Sequence, residues 1–303
     1  MKDKNTILRG HLACFIAYFI FGINIITCKD LTNGHYMSPI ALFCFRSIGA
    51  GVIFWIISFF MPFEKVEKQD LLKIFAASTL GFFLTQISFL MGISEITPMD
   101  CSIVGALSPI YTMFIAAIAL KEPITWKKAG GVALSFVGII YLILNSVSSV
   151  GGATETRPIG VLLIIVNSIC FSLYLGLFRP LINKYSVITF MKWIFLFSSI
   201  LAIPLSIREI LNTDYTTLPS SFFSELAFLV IFATFVSYLL IPIGQKYLRP
   251  TLVSMYTYTQ PIVAIVISIS MGMDNLTWQK VIAAITVFTG VVLVNYSRAR
   301  NQT

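Results

Sequence analysis

Apolar runs of about 20 residues recur along the chain, separated by short polar stretches. A helix needs about 20 mostly apolar residues to cross a bilayer. Ten segments meet that length, roughly at 10–28, 38–61, 72–92, 100–120, 127–147, 159–178, 188–208, 223–243, 251–271 and 278–297. The links between them carry most of the charge, as in "PFEKVEKQD" (62–70). One link, "SVGGATETRP" (149–158), is rich in Gly, Ser and Thr and falls between the fifth and sixth segments. The pattern predicts an all-α integral membrane protein of ten transmembrane helices. It divides into 1–148, an extracytoplasmic linker at 149–158, and 159–303.

The two parts repeat each other. A shift of 152 lays residues 92–141 over 244–293 without a gap, and eleven of the 50 pairs are identical. Among them are Gly92 with Gly244, Pro98 with Pro250, Ser102 with Ser254, Pro109 with Pro261, Trp126 with Trp278 and Gly138 with Gly290. Pro, Gly and Trp fix backbone or interface position, whereas chance matching of an apolar composition pairs Leu with Leu. The stretches "KEPITWKK" (121–128) and "MDNLTWQK" (273–280) are one such pair. Thr125 and Thr277 can cap the following helix, and Trp126 and Trp278 suit the headgroup level.

Charge sets the orientation. With the N-terminus in the cytoplasm, 16 Lys and Arg fall on inner segments and 4 on outer ones, with Arg46 inside the second span. The positive-inside rule then predicts both termini cytoplasmic. Five spans per half is an odd number, so the second half enters the bilayer from the opposite side. Two inverted five-helix repeats are a transporter architecture, in which the halves rock around a midplane site.

The stretches "ALSPIYTMFIAAIALKEPITWKKAGGVALSFVGIIYLI" (106–143) and "YTQPIVAIVISISMGMDNLTWQKVIAAITVFTGVVLV" (258–294), with "ALFCFRS" (41–47), resemble the drug/metabolite transporter superfamily and its EamA family. The resemblance spans nearly the whole chain as two EamA-type repeats. In the second repeat the family's Gly-Glu pair is replaced by Met273-Asp274. The resemblance implies ten helices with both ends cytoplasmic and movement of small metabolites, often amino acids.

Composition narrows the class further. Hydrophobic residues make up 57% and charged residues 11%, against about a quarter charged in soluble domains. The net charge of +8 is spread over short loops and reads as a topology signal, not as nucleic-acid binding. Cys14, Cys28, Cys44, Cys101 and Cys170 lie in or beside apolar segments without a CxxC, and only His11 and His35 occur, both near helix ends. No metal or cofactor is expected. "MKDKNTILRG" and its apolar run resemble a signal peptide, but no small-x-small cleavage site ends the run and Asn24 lies within it. It reads as the first permanent helix.

Candidate chemistry gathers around Pro109 and Pro261, near the centres of spans four and nine. A mid-helix Pro frees the carbonyl four residues back, here Gly105 and Thr257. In hydrocarbon such a carbonyl must face protein, water or substrate. Span four adds Ser102, Ser108, Tyr111 and Thr112. In "SMYTYTQP" (254–261), Ser254, Thr257, Tyr258 and Pro261 fall on one helical face, with Tyr256 and Gln260 on a second stripe. Asn24, Gln86, Asn167, Tyr174 and Tyr238 complete a candidate cavity set, although each amide can instead join helix to helix.

Arg46 lies about eight residues from the outer end of its span, about 12 Å deep at 1.5 Å per residue. It is expected to pair with Glu95 or Asp100, to snorkel outward, or to meet a substrate carboxylate. All thirteen acids fall in loops or at helix ends, which favours a facilitator, an exchanger or coupling through a non-carboxylate route over a carboxylate-driven proton pump.

The sequence therefore predicts a secondary transporter of small metabolites, most of all amino acids or related compounds, working by alternating access. A carrier of organic anions or sugar-type metabolites, an oligomeric channel and an intramembrane enzyme are the alternatives. The expected partners are a small-molecule substrate and the lipid bilayer, with no nucleic acid. From the short tails and the lack of a targeting sequence, a bacterial inner membrane is the expected location.

Overall fold

The computed structural model describes residues 4–33, 36–120, 126–146, 156–213, 215 and 218–299. The predicted cap at Thr125, His35 and most of the 149–158 linker lie outside them. Every regular element described is helical. The helices are α1 (Lys4–Asn33), α2 (Pro39–Phe59), α3 (Lys68–Ser78, a π-helical turn Thr79–Leu84, then Thr85–Ser94) and α4 (Pro98–Gly105 and Ser108–Leu120). They continue as α5 (Trp126–Ser146), α6 (Pro158–Leu177), a short helix Arg179–Lys184, and α7 (Val187–Asn212). The last are α8 (Ser220–Phe228, a π-helical turn Leu229–Val236, then Ser237–Tyr247), α9 (Pro250–Met255, a 3-10 turn Tyr256–Tyr258, then Thr259–Ser270) and α10 (Trp278–Ala299). Among the described residues, eight helical stretches are long and apolar enough to cross a membrane. The apolar parts of α5 and α10, Ala129–Leu142 and Trp278–Leu293, are shorter.

Local chemistry explains the starts. Ser38, Thr97 and Ser186 accept the backbone N–H three residues on, each at 3.2 Å. Thr277 accepts from Lys280 N at 3.4 Å. Pro39, Pro98, Pro158 and Pro250 begin their helices, where the missing N–H has no intrahelical partner in any case.

The 152-residue repeat is visible as contacts between equivalent residues. Ser47 meets Ser199 at 3.1 Å, Gln86 Nε2 donates to Tyr238 Oη at 2.8 Å, and Ser135 Oγ donates to the Val287 carbonyl at 3.2 Å. In each pair the second residue is the first shifted by 152, so each pair straddles the axis relating the halves. The α5–α10 seam is reciprocal as well. A Cβ at Gly138 would press on Val287, and one at Gly290 on Ser135, the same pair of positions exchanged between halves. These glycines let two backbones approach closely.

The π-helical turns of α3 and α8 are themselves equivalent, and sequence reading missed both. Thr85 Oγ1 donates to the Leu80 carbonyl at 2.6 Å, and its equivalent Ser237 Oγ donates to Phe232 O at 3.0 Å. In both, a hydroxyl reaches back five residues and satisfies a carbonyl that the widened turn displaces.

Ion networks close the two ends of the bundle. At the end where α4, α6 and α10 begin, Lys280 Nζ lies 3.4 Å from Asp100 Oδ1 and also contacts Asp274 Oδ1 and Thr97 Oγ1. There Asp274 Oδ2 accepts the Met99 N–H at 3.0 Å, Thr156 Oγ1 donates to Asp100 Oδ2, and Arg157 pairs with Glu95 at 2.9 Å. Lys29 Nζ donates to the carbonyls of Ile93 and Ser94 at 3.0 and 3.2 Å, capping α3. At the opposite end Asp70 accepts from Lys73, Lys184 and Tyr185 at 2.9, 2.6 and 2.8 Å. Glu64 there accepts the Ser186 N–H at 3.0 Å. Trp126 and Trp278 are exposed at the starts of α5 and α10.

Candidate functional site

Two helices break near their middles. In α4 the helix stops at Gly105, turns through Ala106 and Leu107, and restarts at Ser108, which puts Pro109 in the first turn of the second piece. In α9 the 3-10 turn Tyr256–Tyr258 takes the same place, with Pro261 in the first turn beyond it. Each Pro thus sits where its missing N–H costs nothing, and the loss of regular α-structure falls one turn earlier. The Gly105 carbonyl is taken up by Ser108 Oγ at 2.8 Å, and the Ser108 carbonyl accepts from Thr112 Oγ1 and Ser172 Oγ at 3.0 and 3.1 Å.

Beside these breaks lies a cavity of about 70 Å³, between α1, α3, α4, α6, α8 and α9. Its polar lining includes Asn24, Gln86, Ser108, Asn167, Thr257 and Gln260, together with Tyr238. Tyr18, Phe21, Phe89 and Phe171 form aromatic walls. The lining contains no charged side chain.

Packing places these groups. Gly22 of α1 is so close to α9 that a Cβ would meet Val263 and the Gln260 carbonyl. The π-helical turns precede Thr85, Gln86 and Tyr238 directly and set their rotation about α3 and α8. Asn167 Nδ2 donates to the Thr85 carbonyl at 2.8 Å, joining α6 to α3. Gln86 Oε1 and Ser168 Oγ, both in lining residues, are buried without a protein hydrogen-bond partner. A buried polar atom left unpaired costs about 1–3 kcal/mol, so both atoms call for a partner, water or a polar group of another molecule.

Seven of the ten predicted cavity residues therefore come together here. Tyr111, Tyr174 and Tyr258 do not line the cavity. Tyr174 is fully buried with its ring against Gly81, and Tyr258 packs on Phe288 with centroids 5.8 Å apart. Tyr256, placed on the second stripe of α9, bonds His11 Nδ1 at 2.6 Å. The wall also holds residues that sequence reading did not single out, Tyr18, Thr85, Cys101, Ser168 and Phe171. Ser168 follows Asn167, and Tyr18 lies nearly two turns before Asn24, but nothing in their types marks them.

Arg46 departs from the expected pairing. It is fully buried and does not snorkel, and Glu95 and Asp100 are engaged by Arg157 and Lys280 instead. Arg46 Nε donates to Thr234 Oγ1 at 2.9 Å, and Nη1 lies 3.6 Å from Cys28 Sγ. Asp100, in the first turn of α4, and Asp274, in the loop between α9 and α10, are both buried by protein.

Comparison with known proteins agrees with this architecture. The EamA-like transporter family matches residues 8–144 and again 158–296. An uncharacterized transporter of Archaeoglobus fulgidus is 26% identical over 266 residues, 86% of this chain and 89% of that one. An S-adenosylmethionine/S-adenosylhomocysteine transporter of Chlamydia muridarum is 24% identical over 256 residues, 82% and 80% of the two chains. A solved crystal structure superposes over 100% of both chains with a TM-score of 0.65 at 13% identity, a likeness of fold.

Proposed function

We propose that this chain, which belongs to the EamA-like transporter family, carries small zwitterionic metabolites of the amino-acid type by alternating access. Ten helices, five per half and inverted with respect to the bilayer, would place both termini in the cytoplasm of a bacterium, with the protein in its inner membrane. The observation that carries the reading is the convergence of both helix breaks, four amides and the unpaired Gln86 Oε1 and Ser168 Oγ on one uncharged, aromatic-walled cavity. An uncharged wall suits a ligand of zero net charge. Gln86 Oε1 and Ser168 Oγ offer acceptors to an ammonium group, and Phe21, Phe89 and Phe171 offer a wall to an apolar or aromatic side chain.

The size of the cavity supports a moving carrier. At about 10–15 Å³ per water, 70 Å³ holds roughly five to seven waters, less than most metabolites need. Binding therefore requires the halves to part, and the ion networks at the two ends are the contacts that parting breaks. A second reading follows from the Chlamydia relative, whose substrates by name are S-adenosylmethionine and S-adenosylhomocysteine. Those compounds carry an amino-acid end and an aromatic base, for which the same polar groups and aromatic wall would serve, and of the two S-adenosylhomocysteine, which lacks the sulfonium charge, better matches an uncharged wall.

Counterflow in proteoliposomes tests the proposal. Vesicles are loaded with a mixed amino-acid pool, or with S-adenosylhomocysteine, and traces of each labelled compound are added outside without an ion gradient. Transient accumulation above equilibration, reduced at least tenfold by Gln260→Ala or Asn24→Ala, is the expected result. Flux that is linear in concentration and shows no counterflow would mean a channel. Accumulation of the S-adenosyl compounds alone would favour the second reading.

A further inference from the structure

Arg46 is a wholly buried cation without an anion. Among the described residues no carboxylate lies within 4 Å of its guanidinium, and Nη2 has no hydrogen-bond partner. Its two contacts are to neutral groups on α8 and α1, a hydroxyl and a thiol. A guanidinium has five N–H donors, and a charge taken out of water is costly unless paired. A residue serving only to join α2 to its neighbours gains nothing from carrying that charge.

The directions of the neighbouring hydrogen bonds show where the charge is used. Thr234 spends its proton on the Leu229 carbonyl at 2.7 Å and so accepts from Arg46. Cys28 spends its proton on Asn24 Oδ1 at 3.5 Å, and its sulfur faces Arg46. With Oδ1 turned to Cys28, the Asn24 amide N–H groups remain for the cavity that Asn24 lines. Gln86 Nε2 donates to Tyr238 Oη, so the phenol proton is also left to donate, and Tyr238 lines the same cavity. Two uncommitted donors thus stand in front of one uncompensated cation.

We propose that Asn24 and Tyr238 form a carboxylate subsite in the cavity, with Arg46 behind them as a positioning residue whose charge selects the anion. This rests on the carrier reading for the route by which the ligand arrives, but the subsite is a binding property of its own. The bound carboxylate supplies the counter-charge that the fold withholds from Arg46. Asn24 and Tyr238 touch it, and Arg46 acts through Cys28 and by direct attraction in a low-dielectric interior.

The test compares α-amino acids with their α-carboxamides, which keep the shape and lose the anion. Ligand-induced thermal stabilisation of the purified protein in detergent is measured beside proteoliposome counterflow, for the wild type, Arg46→Gln and Arg46→Lys. The wild type should prefer the acid over the amide by about tenfold or more, the size of a charge-assisted contact. Arg46→Gln should bring that ratio close to one, and Arg46→Lys, which keeps the charge, should retain most of it. Equal response to acid and amide in the wild type, or an acid preference that survives in Arg46→Gln, overturns the subsite. Counterflow of compounds without a carboxylate, with no acid preference, leaves the carrier standing and removes the subsite. Arg46-dependent stabilisation by acids in a protein that shows no counterflow leaves the subsite standing and removes the carrier. No response to any acid in either measurement overturns both.

Discussion

Lys280 is the residue whose loss should be felt most strongly away from the cavity. Its ammonium lies between Asp100 and Asp274, whose side chains are 1% and 2% exposed, and it is itself 14% exposed. It also reaches Thr97, so one side chain ties the start of α10 to the start of α4, and Thr156 on Asp100 brings in the residues just before α6. Lys280→Met removes the cation and keeps the apolar stem. Two carboxylates then remain in protein, and Lys29, the nearby base, is committed to the carbonyls of Ile93 and Ser94.

The gross attraction of one pair at 3.4 Å is about 5 kcal/mol at an effective dielectric of 20. Measured losses on breaking buried pairs, about 3–5 kcal/mol, come mainly from the charges left behind. For a protein of this size that corresponds to a fall in Tm on the order of 10 °C. The five cysteines are all free and buried, so a fluorogenic maleimide reports unfolding directly in detergent. The reasoning predicts a specific rescue. Adding Asp100→Asn and Asp274→Asn to Lys280→Met removes the stranded charges and should recover at least half of the lost Tm. A single variant as stable as the wild type, or a triple variant no more stable than the single, would refute it.

Three smaller perturbations test other parts of the structure. Gly290→Val should destabilise the α5–α10 seam by about 1–3 kcal/mol, because its Cβ would meet the Gly131 carbonyl as well as Ser135; unchanged Tm would mean the seam is looser than described. Tyr238→Phe removes the acceptor for Gln86 Nε2 and should cost about 1–2 kcal/mol while raising the substrate KM; Gln86→Leu in that background should add little to the loss of stability, as a double-mutant cycle would show, but should raise KM further, because Gln86 Oε1 is lost as well. At the opposite end, partial burial works to raise the Glu64 carboxyl, but hydrogen bonds from Ser186 and Thr189 outweigh it and hold the group below the ordinary carboxylate range. Its contribution to stability is therefore present above about pH 4.3, the value of an unfolded Glu, and is lost as pH falls through the depressed value; Glu64→Gln should flatten the acid limb of a Tm-against-pH curve, and an unaltered limb would count against it.

What the sequence made legible is what fixes the backbone. Pro109, Pro261, Gly138, Gly290, Trp126 and Trp278 recur at one spacing because a helix break, a close approach or an interface start tolerates few residue types. The axial pairing of residues 152 apart followed from that. The cavity residues were legible as far as an ideal helix carries them. In α9 the predicted face assumed 3.6 residues per turn, whereas the three residues of the 3-10 turn advance the chain at 3.0, a rotation of about 60°. That rotation separates Thr257 and Gln260, which line the cavity, from Tyr258, which packs on Phe288. The π-helical turns rotate the later parts of α3 and α8 as well, in the opposite sense because their turns are wider, and their sequences, TLGFFL and LVIFATFV, carry no residue that demands them. Charge was legible in number but not in pairing, because Lys280 with Asp100 and Arg157 with Glu95 are contacts between distant parts of the chain.

The positions where the halves disagree carry more functional meaning than those where they agree. Under the same shift, Arg46 falls on Ser198, Gln86 on Tyr238 and Asp100 on Leu252. Two halves with identical chemistry would present a ligand with a symmetric site, suited to a symmetric molecule. The α-amino acid proposed as the substrate is not symmetric, and its ammonium and carboxylate need different partners. A duplicated scaffold with the charge kept in one half, an acceptor amide on α3 and a phenol on α8 supplies that difference at the axis itself. There Gln86 and Tyr238 meet, and one of them offers a bare acceptor while the other keeps a proton to give.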